Sequence, residues 1–201
     1  MRVIGLTGGI ASGKSTVSGM LRELGAPIVD ADVVAREVVE PGTEGLERVA
    51  ARFPGVVGPD GRLDRERLGA RVFANEAERQ ALNAILHPLI QQQVIRHVEA
   101  LARAGERLAI YDAPLIVENQ LHHLLDGLIV VAVPPKVQLE RLIARNGYSP
   151  EEARARIAAQ LPLEEKKKVA TWVIDNSGTL EQTREQVERL WRSLTGMLPP
   201  R

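Results

Sequence analysis

At 201 residues the chain can bury roughly 70% of the surface that its unfolded state exposes, enough for one compact domain with added lobes. It contains no cysteine, which excludes disulfides, thiolate metal sites and thiol nucleophiles. Its 26 basic and 26 acidic residues cancel, and aromatics are only 3%, which argues against both a polyelectrolyte grip on nucleic acid and a base-stacking surface.

The chain starts directly on "RVIGLTGG" without a leader-like segment, and no apolar run reaches the length of a membrane span. A cytoplasmic protein with no membrane contact and no obligate protein partner is expected. The first apolar run, "VIGL" (3–6), has strand length and leads into "LTGGIASGKSTV" (6–17). Val17, Met20, Leu21 and Leu24 then repeat at helical spacing, and Gly25 supplies a stop. "PIVD" (27–30) reads as a second strand, set beside the first in the expected winding.

From Asp32 to Gly105 only helical segments and the turn "GPDG" (58–61) are legible, with Asn75 and Glu78 at capping-box spacing ahead of "ALNAILHPLI". Further strands are expected at "RLAIYD" (107–112), "GLIVVAV" (127–133) and "TWVID" (171–175), and a helix near the end carries Val187, Leu190, Trp191 and Leu194. Between them, "KVQLERLIARNGYSPEEARARIAAQ" reads as two helices broken at Asn146 and Gly147, the second capped by Ser149, Pro150 and Glu152. With few apolar residues to bury, this hairpin is expected to be a mobile flap. Apolar strands alternating with helices predict a parallel sheet covered on both faces, with ligands gathering beyond the strand ends. Asp30, Asp112 and Asp175 stand at such ends, Asp175 in what reads simply as a helix N-cap or a turn residue. A short Pro-containing tail, "LPPR", closes the chain.

Gly8, Gly13, Lys14 and Ser15 satisfy G-x-x-x-x-G-K-[ST] between a predicted strand and a predicted helix. In that context glycines let successive N–H groups face phosphate oxygens at a helix N-terminus, Lys14 reaches the β- and γ-phosphates, and the Ser15 hydroxyl ligates Mg²⁺. Thr16 lies near the α-phosphate. GTPases, motors and small-molecule kinases share this loop, but an N-K-x-D stretch for guanine is missing and the chain is short for a motor. Asp32 is the candidate base that takes the proton of an acceptor hydroxyl, with Asp30 either capping the following helix or sharing the task. Asp112 either holds Mg²⁺ through water or simply ends a strand. Arg141 and Arg145, four apart on one helix face, suit a lid closing on a transferring phosphoryl group, whereas Arg154 and most of Lys166–Lys168 read as solvated surface. His87 reads as structural or as facing an acceptor. His122 and His123 are expected to point to opposite sides, without metal spacing.

The stretches "IGLTGGIASGKSTV", "VDADVVAREVV", "GPDGRLDRERLGARVF", "LNAILHPLI", "DAPLIVE", "QLERLIARNGYSPEEARARIAAQ" and "VIDNSGTLEQTREQV", in this order, make the chain resemble the dephospho-CoA kinase family. The resemblance implies transfer of a phosphoryl group from ATP, with Mg²⁺, to the ribose 3′-hydroxyl of dephospho-CoA. It implies a P-loop three-layer sandwich with a five-stranded parallel sheet: a nucleotide core over 1–31, 106–135 and 161–201, a helical acceptor lobe over 32–105, and a lid over 136–160. It places ATP on Gly8, Gly9, Ile10, Ala11, Ser12, Gly13, Lys14, Ser15, Thr16 and Arg145, and the chemistry on Asp32, Lys14 and Arg141. The acceptor falls to Asp32, Arg36, His87, Asp112, Leu115 and Glu118. Val117, Asn146 and Trp172 depart from residues common in the family, which bears on the fine shape of the acceptor and adenine sites. Two rivals remain: another small-molecule or nucleoside-monophosphate kinase, and a nucleotide-dependent regulatory module.

Overall fold

The computed structural model describes residues 1–196, so the "LPPR" tail lies outside the described residues. The chain forms two compact units, one of Met1–Val29 with Leu101–Arg201 and one of Asp30–Ala100.

The first unit is built on β1 (Arg2–Gly8), β2 (Ile28–Asp30), β3 (Leu108–Asp112), β4 (Gly127–Ala132) and β5 (Trp172–Asp175). They form one parallel sheet in the order β2-β3-β1-β4-β5. All five strands fall on the apolar runs expected from the sequence, but the second strand does not lie beside the first. β3 stands between them, paired with β1 over five positions from Arg2↔Leu108 to Leu6↔Asp112. The reason lies in length and burial. β3 is almost wholly buried and suits an interior place, while β2 has three residues, only the middle one buried, and suits an edge.

Helix α1 (Lys14–Glu23) and helix α9 (Leu180–Gly196) cover one face of the sheet. Val17 and Leu21 of α1, and Val187 and Leu194 of α9, meet Ile4, Leu6, Ile110, Ile129 and Val131 in a common core. Burial on both faces explains why β4 reads as a continuous apolar run rather than an alternation. Gly25, at φ 84°, ends α1: its N–H reaches Arg22 O while that of Ala26 reaches Leu21 O, satisfying two of the carbonyls a helix end leaves free.

Helix α6 (Pro135–Asn146) stops at Gly147, φ 69°, and helix α7 (Pro150–Ala158) starts from Ser149. Both halves of the expected capping box are present. The Ser149 N–H and hydroxyl, bonded to Glu152, hold its carboxyl below the usual range. This hairpin buries more than its composition suggests, since Leu142 and Ala153 are fully inaccessible. Helix α8 (Leu163–Lys168) leads into β5.

The second unit is helical: α2 (Ala31–Glu37), α3 (Glu44–Arg52), α4 (Arg65–Ala74) and most of α5 (Glu76–Arg103). An isolated antiparallel bridge, Val57↔Leu63, closes the "GPDG" turn. The capping box at Asn75 is only half formed. Asn75 Oδ1 accepts the N–H groups of Ala77 and Glu78, but the Glu78 carboxylate turns to Arg71 at 2.7 Å instead of returning to the cap. A charge-assisted bond to guanidinium outcompetes one to a neutral amide, and it holds Glu78 below its usual pKa. No helix among the described residues is long and apolar enough to cross a membrane.

Candidate active site

β1 ends at Gly8 and α1 begins at Lys14, so the glycine-rich stretch bridges a strand and a helix N-terminus as expected. The bridge is a tight backbone curl. Ala11 and Gly13 take positive φ of 59° and 87°, the Ser12 N–H donates to Gly9 O, and those of Thr16 and Val17 donate to Gly13 O. Gly13 is required for more than its dihedral angles: a Cβ there would stand 1.9 Å from Asn176 Nδ2. Ser12 is buried, Thr16 half-buried, and Ser15 is exposed at the start of the helix.

Lys14 forms an ion pair with Asp112 at the end of β3. The two elements that carry them are adjacent because β1 and β3 pair in register up to Leu6↔Asp112. Asp112 is only 2% exposed, so its carboxylate depends on that cation. Of the two arginines expected on a lid, Arg141 brings Nη1 to 3.9 Å from the position a Cβ on Gly13 would take. Arg145 is exposed and its Nε donates to Asn146 Oδ1 at 2.8 Å. The structure thus places Arg141 and Lys14 at one loop and leaves Arg145 turned to its neighbour. Arg154 pairs with Glu151 on the surface, and Arg156 lies over the Tyr148 ring.

Beyond β3, Leu115 is 41% exposed, while Glu118 Oε1 is engaged by Lys166 Nζ at 2.7 Å and by the Leu161 N–H. Most of the lysine run lies at the surface, as expected, but one member does not. Lys167 and Lys168 do pair with Glu164 and Glu165 at the surface, but Lys166 is fully buried and also donates to Gly8 O and Pro114 O. The local signal is faint: Lys166 follows Leu163 by three positions, on the same face of α8. Gln138, Gln160 and Asn176, none of which stood out in the sequence, also bond the loop. Asp175 behaves as a turn residue. Its carboxylate accepts from Ser177, whose hydroxyl and N–H hold it below the usual carboxylate range. His122 and His123 sit in a 3-10 turn, Leu121–Leu124, with ring centroids 3.9 Å apart rather than on opposite sides, since successive residues of such a turn are closer in direction than those of a strand. No cluster of metal-ligating side chains occurs among the described residues.

In the second unit, Asp30 is the cap of α2, its Oδ1 accepting the N–H groups of Asp32 and Val33 at 2.8 and 3.3 Å. Asp32 projects from the first turn, exposed, as are Arg36 and, on α5, His87. The two aspartates therefore have separate local roles. Asp30→Ala is expected to cost about 1 kcal/mol of stability in urea unfolding, with kcat retained; a collapse of kcat at unchanged stability would give Asp30 a part in the chemistry. The same unit holds a small concavity of about 160 Å³ lined by Glu37, Thr43, Leu89, Gln93 and Arg96, beside a 2.7 Å contact of Glu37 with His97. Sequence reasoning had not marked it, and it is too small to enclose a nucleotide.

A strand, a glycine-rich curl and a helix in this order, on a five-stranded parallel sheet with a lysine at the curl, define a P-loop kinase. The family model for dephospho-CoA kinase matches residues 2–182. A dephospho-CoA kinase of Geobacillus kaustophilus is 53% identical over 185 residues, 92% of each chain. Among solved structures, a protein of Thermus thermophilus superposes with a TM-score of 0.81 at 37% identity, covering 98% of both chains. Dephospho-CoA kinase from Campylobacter jejuni does so with 0.77 at 26% identity, covering 98% of this chain and all of its own. The chain belongs to the dephospho-CoA kinase family and is a kinase of coenzyme A biosynthesis.

Proposed function

We propose that the enzyme transfers the γ-phosphoryl group of ATP to the ribose 3′-hydroxyl of dephospho-CoA, giving coenzyme A and ADP. The observation that carries this reading is the intact glycine-rich loop, with Lys14 at its end, in a chain matched by the family from residue 2 to 182. The acceptor oxygen forms a bond to the γ-phosphorus as the bond to the β,γ-bridging oxygen breaks. ADP leaves with that electron pair, and the hydroxyl proton passes to the Asp32 carboxylate. Lys14 and Arg141 stabilise the charge on the transferring group. The core elements, the helical lobe of the second unit and the α6–α7 lid act as nucleotide, acceptor and closing parts, with Arg36, His87 and Leu115 on the acceptor side and Arg145 joining the nucleotide when the lid closes. Glu118 acts instead as the counter-ion of Lys166.

The donor set suits Mg²⁺, a hard cation that takes oxygen ligands: the exposed Ser15 hydroxyl and the Asp112 carboxylate, the latter through water. Bound there with ATP, Mg²⁺ would neutralise phosphate charge. The buried Asp112 carboxylate fits this, because once Lys14 turns to phosphate it needs another cation nearby.

The reading is tested by ADP release from purified protein with ATP and Mg²⁺, offered dephospho-CoA, AMP, pantetheine or shikimate in turn. Turnover is expected with dephospho-CoA, and ³¹P NMR should place the new phosphomonoester on the ribose 3′ carbon. Equal turnover of AMP would favour a nucleoside-monophosphate kinase. Hydrolysis indifferent to any acceptor would favour a regulatory module.

A further inference from the structure

A loop that turns its N–H groups towards an anion must turn carbonyl groups away from it, and carbonyls turned into the protein need donors. Two carbonyls of the loop, those of Gly9 and Gly13, are satisfied by the loop itself and the first turn of α1. Three others are met by side chains from three separate parts of the fold. Gly8 O accepts from Lys166 Nζ of α8 at 3.3 Å, Ile10 O from Gln138 Nε2 of α6 at 2.8 Å, and Ser12 O from Asn176 Nδ2, just past β5, at 2.8 Å.

Each donor is itself fixed. Lys166 is held by Glu118 and Pro114 O, so its charge is already neutralised and its effect on the loop is geometric. Asn176 presents its amide nitrogen to the loop because its Oδ1 accepts from the Thr183 hydroxyl at 2.8 Å and its own N–H is bonded to Ala132 O. Gln138 is nearly inaccessible and lies so close that a Cβ on Gly9 would come within 2.7 Å of its Nε2. Two of the loop's glycines, Gly9 and Gly13, are thus packed directly under these amides.

We propose that Lys166, Gln138 and Asn176 are positioning residues for phosphoryl transfer: they hold the Gly8, Ile10 and Ser12 carbonyls outward and so keep the loop's N–H groups arranged for the polyphosphate before ATP arrives. This rests on the reading of the loop as the ATP grip. None of the three need touch the nucleotide. Their contribution is preorganisation, paid at folding rather than at binding.

Isosteric exchange of a donating amide for a carboxylate tests this in the full chain. Asn176→Asp keeps the acceptor for Thr183 and Gln138→Glu keeps the side-chain length, yet neither can donate to its carbonyl. For α8, Lys166→Met is combined with Glu118→Gln to avoid stranding a buried charge, and Lys166→Arg serves as the conservative variant. Titration with ATP, KM for ATP and for the acceptor, and Tm without nucleotide are measured for each. Asn176→Asp and Gln138→Glu are expected to weaken ATP binding and raise its KM by about tenfold each, with the acceptor KM unchanged; Lys166→Arg should recover part of what the double variant loses. Lower Tm with unchanged ATP affinity and KM would show mere bracing and overturn the inference. Absence of ATP binding by the unmodified chain would overturn the ATP-grip reading and this inference together.

Discussion

Asp32→Asn is expected to lower kcat by about 10²- to 10⁴-fold while the affinity for ATP stays as it was. The substitution is nearly isosteric, and the Asp32 N–H continues to donate to the Asp30 cap, so α2 should start as before. What disappears is a carboxylate able to take the acceptor proton as the new P–O bond forms. Rates at saturating ATP and acceptor, together with direct ATP titration, separate the effects. If kcat were unchanged, Asp32 would be only an acidic residue in the first turn of a helix, where it complements the dipole for a few tenths of a kcal/mol.

Lys14→Ala is expected to reduce kcat/KM for ATP by about 10²- to 10³-fold, the cost of removing one positioned cation from the transferring group. It should also destabilise the fold, because Asp112 is left buried without its partner; breaking such a pair typically costs about 3–5 kcal/mol. The two consequences can be parted. Adding Asp112→Asn to Lys14→Ala removes the stranded charge and should restore much of the Tm without restoring the rate. Recovery of both would mean that Lys14 serves the fold and not the phosphate.

Local sequence carried most of the fold. Each strand is an apolar run bounded by turn residues, and the α6–α7 hairpin is written out by Gly147, Ser149 and Glu152, which act on their immediate neighbours. The order of strands was not local information. Nothing in "PIVD" says that Leu108–Asp112 will come between it and β1, since that depends on which strand gains most by burial on both faces. The loop and its lysine were legible because their chemistry is concentrated in eight consecutive positions. Its supports were not, because Gln138, Lys166 and Asn176 lie 128, 158 and 164 residues from the carbonyls they bond. Lys166 was further hidden in a run of three lysines whose other members are ordinary surface. Asp30 and Asp32 could be separated only once the cap's hydrogen bonds were visible.

The same long separations bear on how the protein is made. β1 leaves the ribosome ahead of its neighbours β3 and β4, which follow only after residue 107, and the donor for Ser12 O is residue 176. The helical unit over Asp30–Ala100 is synthesised complete in the meantime. The glycine-rich loop therefore cannot be completed until residue 176 has been made, and a product of translation interrupted before it would carry the motif without the finished loop.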